Sequence, residues 1–345
     1  DKLGLEQPKT IDDFYNVLKA FKEQDANGNG DPNDEIPVAT KNGLKQLYYL
    51  MTGFGYDTNS LWYTDADGGV HYAAVEDNYK EMLTFLNKCY SEGLISDDLD
   101  GTQLTQNITE DKVGIVCHDP ADNMASSDDL ALTTNPNCNY QFMPVIQKDE
   151  NGTAQMSKRS LTWHYYGITS ACENVEAAVK FLNYGYTEAG NLLMYYGIEG
   201  ISYEIVDGYP YFTDFVKNNP DGMNMEEALG TYVCWSGGGN PSVADDLHFG
   251  VHLIPEATVT AAQNLLAYGP ETIWPADFSY TTEEAELLAE YKLEILTYVE
   301  DMRARFITGS ESLENWDAYL EQLDRMDLEG YTELVQTALD RYNAE

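Results

Sequence analysis

Basic residues are scarce in this chain of 345 residues: 19 Lys and Arg stand against 59 Asp and Glu, a formal charge of −40. Nucleic acid would be repelled by such a surface, and so would an anionic membrane approached through protein charge. The partner left is neutral or cationic, because no local basic patch interrupts the acidity. Charge of this size keeps a protein soluble and says little about its fold. Cysteine is sparse too, with Cys89, Cys117, Cys138, Cys172 and Cys234. An odd count at wide spacing excludes a regular disulfide framework and zinc ribbons; buried free thiols are expected instead. No apolar run is long enough to cross a bilayer. No signal peptide and no Met open the chain, which begins Asp1-Lys-Leu-Gly as a mature form or a fragment would. Internal repeats and low-complexity segments are lacking as well.

What is present fits a globular protein of two or so domains: 345 residues, 43% hydrophobic and 23% charged. Thr10-Ile-Asp-Asp13 is a capping-box variant, and Phe14, Val17, Leu18 and Phe21 follow at helical spacing. Ile36-Pro-Val reads as an extended exit, Leu44 to Met51 as a second helix, and Asp65-Ala-Asp-Gly-Gly69 as a hairpin turn too short to hold a metal. A helix from about Glu76 to Glu92 ends on Gly93. Val113 to Cys117 and Phe142 to Ile146 read as buried strands, and Leu161 to Thr169 as an aromatic strand. Asn174 caps a helix to about Tyr184, and Thr187 caps another ending at Gly197. Trp235-Ser-Gly-Gly-Gly-Asn-Pro241 is an irregular loop with neither a phosphate-loop nor a dinucleotide signature. From Thr281 onward the chain is nearly all helix, with openings at Thr281 and Ser312. Strands scattered among helices make the class mixed α/β.

The most telling segment is Asp25-Ala-Asn-Gly-Asn-Gly-Asp-Pro-Asn-Asp-Glu35. Oxygen-bearing side chains recur at Asp25, Asn27, Asn29 and Asp31, Gly30 sits at the sharp turn, and Asp34 and Glu35 close the run. Alternating oxygens are how a chain wraps Ca²⁺, which takes six to eight of them. The run matches the start of an EF-hand loop, but Ile36 stands where the twelfth-position Glu belongs. The expectation is one structural Ca²⁺ held by the side chains of Asp25, Asn27, Asn29, Asp34 and Glu35 with the carbonyl of Asp31. The alternative is a polar Asn-Gly turn with solvated acids.

Several segments together resemble one family, the extracellular solute-binding proteins of bacterial ABC importers, family 1. Thr10 to Pro37 looks like the calcium loop and preceding helix of the longer oligosaccharide-binding members. Tyr79 to Ile95 is similar to their helix closing on Glu-Gly-Leu-Ile, and Asp111 to Val116 to their buried strand before the cleft. The most specific match is Ala177 to Gly200, with Thr187-Glu-Ala-Gly-Asn-Leu-Leu-Met-Tyr-Tyr-Gly-Ile-Glu-Gly200. Tyr203 to Thr213 continues it, and Tyr298 to Tyr342 resembles the family's C-terminal helices. The resemblance implies a type II periplasmic-binding-protein-like α/β fold, helix-rich, with two lobes that close by hinge motion on a solute. Residues 1–155 would form mostly one lobe, with the calcium loop at 25–35. Residues 156–275 would form mostly the other, and 276–345 would pack back on the first. Family members carry a further N-terminal portion with a lipidated cysteine. Asp1 to Pro8 resembles an interior segment, so the expectation is that this chain lacks that portion, as a fragment or with one lobe's sheet incomplete.

The resemblance further implies a cell-surface lipoprotein, a monomer, that hands a carbohydrate to ABC-transporter permease subunits and performs no catalysis. Independently, 26 Tyr and five Trp suit sugar binding: aromatic faces pack on pyranose C–H groups while Asp, Asn and His bond the hydroxyls. The candidate ligand-binding residues are Trp163 and His164 at the interlobe crossing, Trp235 in the Gly-rich loop, and His118 and Asp119 after the Val113 strand. Core packing is the competing role for the tryptophans, and a solvated turn for His118 and Asp119. Two other classes stay open. A secreted calcium-stabilised glycoside hydrolase needs two carboxylates at a set separation, and a calcium-dependent interaction module needs a switching loop.

Overall fold

The structure, a computed structural model, describes residues 3–31, 33–41, 43–56, 61–117, 131–132, 134–138, 140–148, 166–223, 225–233, 241–242, 274 and 278–344. The chain divides into two compact units, one formed by Asp1–Arg159 with Gln263–Glu345 and the other by Ser160–Ala262.

In the first unit the Thr10 capping box forms. The Thr10 hydroxyl accepts from Asp13 N, the Asp13 carboxylate accepts from Thr10 N, and the helix Ile11–Glu23 starts there. Its apolar face, Ile11, Phe14, Val17 and Leu18, is buried. Strand β1 (Ile36–Thr40) follows the acidic loop. A tightly wound 3-10 helix then spans Leu44–Phe54, longer than such helices usually run. Close packing accompanies it: a Cβ on Gly53 would lie 2.5 Å from Ile11 Cδ1. Strands β2 (Trp62–Thr64) and β3 (Val70–Tyr72) pair antiparallel around the Asp65 turn. The helix Asp77–Ser91 ends before Gly93, whose φ of 68° lies in the left-handed region that favours glycine. A short helix, Leu104–Thr109, precedes β4 (Val113–Cys117).

Strand β1 lies parallel to β4, with Ile36 opposite Val113 and Thr40 opposite Cys117, and Val38 also bridges Ile95. β4 has room for Gly114 alone, since any Cβ there would run into the Phe21 ring. The C-terminal segment supplies helices Thr282–Tyr291 and Thr297–Thr308, joined without a break through a wider π-turn at Lys292–Leu296, then Trp316–Arg325 and Leu328–Ala344. Its Thr281 capping box with Glu284 also forms. These helices pack on the N-terminal elements in one core that includes Phe14, Leu18, Met82, Leu86, Phe306, Tyr319 and Leu323.

The second unit holds helices Val175–Tyr184 and Glu188–Tyr196, capped by the Asn174 and Thr187 side chains. A hairpin of β5 (Tyr203–Val206) and β6 (Tyr209–Phe212) follows. Two short helices come next, Asp214–Lys217 and Met225–Leu229. Tyr195, Tyr196 and Tyr203 form one small core and Val216, Leu229 and Val233 another.

One strand expectation needs correction, and a second falls only partly within the described residues. Phe142 to Ile146 is no strand; Val145 and Ile146 are buried, and among the described residues the backbone pairing is confined to the next residue, Gln147, whose N–H donates to Lys9 O and whose C=O accepts from Ile11 N. Pro144 removes one of the N–H donors a ladder needs. Of the aromatic segment Leu161 to Thr169, residues 161–165 lie outside the described residues, and 166–169 adopt no regular structure.

Phe306 is 1% exposed, with its ring edge-on to Tyr319 and beside Trp316. Phe306→Ala should therefore cost about 3–5 kcal/mol, read as a lower urea midpoint with an unchanged slope. Cys89 and Cys117 are free and buried, and burial pushes both thiols up to about 12. Thiolate, not thiol, is the nucleophile. Iodoacetamide at mildly alkaline pH should leave both unlabelled in the native protein and label both in urea, read by peptide mass mapping.

Candidate functional site

The acidic loop begins where the first helix stops, at Gln24, whose N–H bonds Ala20 O. Each alternate side chain then folds back on the backbone two residues ahead. Asn27 Oδ1 accepts from Asn29 N at 2.9 Å, Asn29 Oδ1 from Asp31 N at 2.7 Å, and Asp31 Oδ1 from Asn33 N at 3.1 Å. Such Asx turns are what Asn and Asp offer a tight loop. Asp25 spans more of it, with Oδ1 accepting from Gly28 N at 2.7 Å and Oδ2 from Gly30 N at 3.2 Å. Gly28 and Gly30 take φ of 82° and 95°, the region glycine enters without penalty.

The closing acids complete the loop. Asn29 Nδ2 donates to Asp34 Oδ2 at 2.9 Å, and Asn27 N donates to Glu35 Oε1 at 3.1 Å. Glu35 is only 5% exposed. Burial raises its pKa, the nearby Asp34 and Asp25 charges add to the rise, and the N–H groups of Asn27 and Ala26 oppose it. Asp34 Oδ1 is buried with no hydrogen-bond partner, as is Asn27 Nδ2. A buried acceptor without a donor is costly. An oxygen-binding cation at this point would satisfy it and offset the repulsion among the three carboxylates. The donor chemistry therefore fits Ca²⁺, with Asp25, Asp34 and Glu35 as anionic oxygens and the Asn27 and Asn29 carboxamides as neutral ones. Asp31 instead turns its carboxylate onto Asn33, which holds its pKa below the usual range; its carbonyl is the atom expected to ligate. Among the described residues no three His, Cys, Asp or Glu side chains gather as a metal cluster by themselves. Any site in this loop thus depends on its amide and carbonyl oxygens.

The loop is tied to the core at both ends. The helix before it buries Phe14 and Leu18, and directly after Glu35 the Ile36 N–H bonds Lys112 O at 2.8 Å, starting the β1–β4 pairing. Of the other candidates, His118, Asp119, Trp163, His164 and Trp235 lie outside the described residues; β4 ends one residue before His118.

Sequence reasoning missed a second polar constellation. The Glu76 carboxylate accepts from Tyr56 OH at 2.8 Å and from Tyr63 OH. Burial, then the Glu76 hydrogen bond, raises both phenols. Tyr63 stacks on His71 at 5.3 Å, and His71 Nε2 meets Asp65 Oδ2 at 2.9 Å. In the sequence Glu76 reads only as the start of a helix. The Asp65 turn is the hairpin expected, its Oδ1 accepting from Asp67 N and Gly69 N.

These units, with a parallel strand pair under helices and a C-terminal helical segment returning to the first core, belong to a known class. The chain superposes on alginate-binding protein AlgQ2, in a structure without calcium ion, with a TM-score of 0.79 over 98% of this chain and 69% of that one at 21% identity. A Streptococcus pneumoniae ABC-transporter substrate-binding protein, FusA, as an EF-hand mutant with fructo-nystose, gives 0.69 over 99% and 70% at 23% identity. The fold is thus the type II periplasmic-binding-protein-like fold. Residues 1–192 match the family model described as bacterial extracellular solute-binding protein, and the chain belongs to that family. Among curated relatives, the fructooligosaccharide ABC transporter substrate-binding protein FusA of Streptococcus pneumoniae is 26% identical over 99% of this chain and 64% of its own length. The chain therefore spans slightly less than two thirds of that relative.

Proposed function

We propose that the protein is the extracellular solute-binding component of an ABC importer, capturing a neutral carbohydrate, an oligosaccharide, for delivery to the permease subunits. The observation that carries this is the alignment of nearly the whole chain with a fructooligosaccharide-binding relative, inside a family of solute-binding proteins. The charge of −40 agrees with a neutral ligand. The protein acts as a monomer, anchored at the cell surface as a lipoprotein in its full-length form. It binds without turnover. Trp163 and Trp235 stack on sugar rings, with His164, His118 and Asp119 bonding hydroxyls, and residues 156–275 supply most of the second lobe.

The test is thermal shift against a glycan library, followed by chromatography of each hit after long incubation. A ligand held only by the folded state raises the melting temperature. The expected result is saturable stabilisation with intact glycan. Reproducible cleavage, lost on changing one carboxylate, would instead make it a glycoside hydrolase. Stacking contributes about 1 kcal/mol beyond area burial, so Trp163→Ala and Trp235→Ala should each weaken binding several-fold without lowering the ligand-free melting temperature.

The same reading assigns one structural Ca²⁺ to the loop from Asp25 to Glu35. It is supported by the buried Asp34 Oδ1, and by the relatives whose structures were solved as an EF-hand mutant and without calcium ion. Bound there, the ion would tie the Ile11–Glu23 helix to β1. Glu35→Gln should separate the two states of the loop. In chelator the variant removes a buried charge and melts at or above the wild type; in millimolar calcium it melts below it. A variant that melts below the wild type by the same margin in both buffers would sink the calcium assignment.

A further inference from the structure

The loop contains two Asn-Gly steps, Asn27-Gly28 and Asn29-Gly30, and the structure treats them differently. Asn-Gly is the dipeptide most open to spontaneous deamidation, because glycine puts no Cβ in the way of ring closure. The following backbone nitrogen attacks the Asn side-chain carbon Cγ and gives up its proton to solvent. The Cγ–Nδ2 bond then breaks, and Nδ2 leaves with a proton from solvent as ammonia. Water opens the resulting succinimide. Attack at Cγ gives Asp, and attack at the main-chain carbonyl gives isoaspartate. The step needs only water, and it needs the glycine nitrogen free to swing toward Cγ.

We propose that Asn29 is a spontaneous deamidation site in the native protein and that Asp25 holds the neighbouring Asn27 step closed. At Asn27 two observations oppose reaction. Gly28 N, the nucleophile, is fixed on Asp25 Oδ1 at 2.7 Å. The leaving nitrogen, Asn27 Nδ2, is buried. The side-chain carbonyls do not separate the two steps, since Asn27 Oδ1 accepts from Asn29 N at 2.9 Å and Asn29 Oδ1 from Asp31 N at 2.7 Å. At Asn29 the hold on the nucleophile is weaker. Gly30 N reaches Asp25 Oδ2 at 3.2 Å, near the long end of the hydrogen-bond range. Asn29 and Gly30 are both exposed, so water reaches the imide, and nothing lies within 4 Å of where a Gly30 Cβ would be. Asn29 Nδ2 bonds only one carboxylate oxygen, Asp34 Oδ2. The product matters locally. Asp at position 29 would add a fourth carboxylate beside Asp25, Asp34 and Glu35, and isoaspartate would lengthen the backbone by one methylene and shift every oxygen after it out of register.

The experiment incubates the full chain in calcium-free buffer at mildly alkaline pH and follows amide-to-acid conversion by peptide mapping, with isoaspartate scored by methyltransferase labelling. The sequence supplies internal controls at two further Asn-Gly steps, Asn42-Gly43 and Asn151-Gly152. The expected result is conversion at Asn29 several-fold ahead of Asn27, with the difference abolished in urea. Asp25→Ala should bring Asn27 up to the rate of Asn29 while Asn42 and Asn151 keep their wild-type rates. Equal native rates at Asn27 and Asn29, or an Asp25→Ala variant in which all four steps accelerate together, would overturn the proposal. Asn29→Gln, which cannot cyclise through the same five-membered ring, should leave conversion at Asn27 unchanged.

Discussion

The packing of the Thr297–Thr308 helix on the Asp77–Ser91 helix is the contact the first unit depends on. Two polar links fix it where the apolar surfaces alone would slide. The Asn87 carboxamide donates to Phe306 O at 2.9 Å and Ile307 O at 3.2 Å, satisfying carbonyls that a helix end leaves unpaired. Nearby, Tyr319 OH donates to Ala74 O at 3.0 Å within the core. Gly309, in the left-handed region, then turns the chain away. With these in place Phe306, Trp316 and Tyr319 fill the space over Met82 and Leu86, and the helix carrying Phe14 and Leu18 has a surface to rest on.

From that surface the argument reaches the loop. A segment with four carboxylates, one of them buried, would splay apart if its ends were loose. Here its entrance is the end of a packed helix and its exit is the first hydrogen bond of a parallel strand pair. The rigid ends let the loop keep Asp34 Oδ1 and Glu35 out of water, at a cost that the Asx turns and glycine conformations offset only in part. A hard cation bound there, as proposed, would relieve that strain.

Where the sequence carried local rules, it could be read. The capping box at Thr10, the helix opening at Thr281, the caps at Asn174 and Thr187, the Asp65 hairpin and the Gly93 stop all act within a few residues, and each is where its residues placed it. The short apolar runs were harder. Val113 to Cys117 and Phe142 to Ile146 look alike as strings, yet only the first has a strand beside it, since pairing depends on partners distant in sequence. The alternating oxygens of the loop were legible. The role of Asp25 in holding two glycine nitrogens was not, because it follows from backbone conformation and not from spacing. The Glu76, Tyr56 and Tyr63 constellation was equally hidden, since a 3-10 helix, a strand and a helix start had to be brought together first.

The first unit is discontinuous, with Ser160–Ala262 threaded between its two parts. On the ribosome, Met82 and Leu86 emerge about two hundred residues before the C-terminal helices that begin at Thr282, and Phe14 and Leu18 earlier still. For that interval they have only the N-terminal part of their core, among it Leu47, Met51 and Phe54. Loop closure over such a separation must be completed before the covering contacts repay it, so this unit should mature late, after its covering helices have emerged. Nascent chains with exposed apolar faces are prone to association, and the surplus of acidic residues, repelling one nascent chain from the next, would act in that interval as the protein's own guard against aggregation.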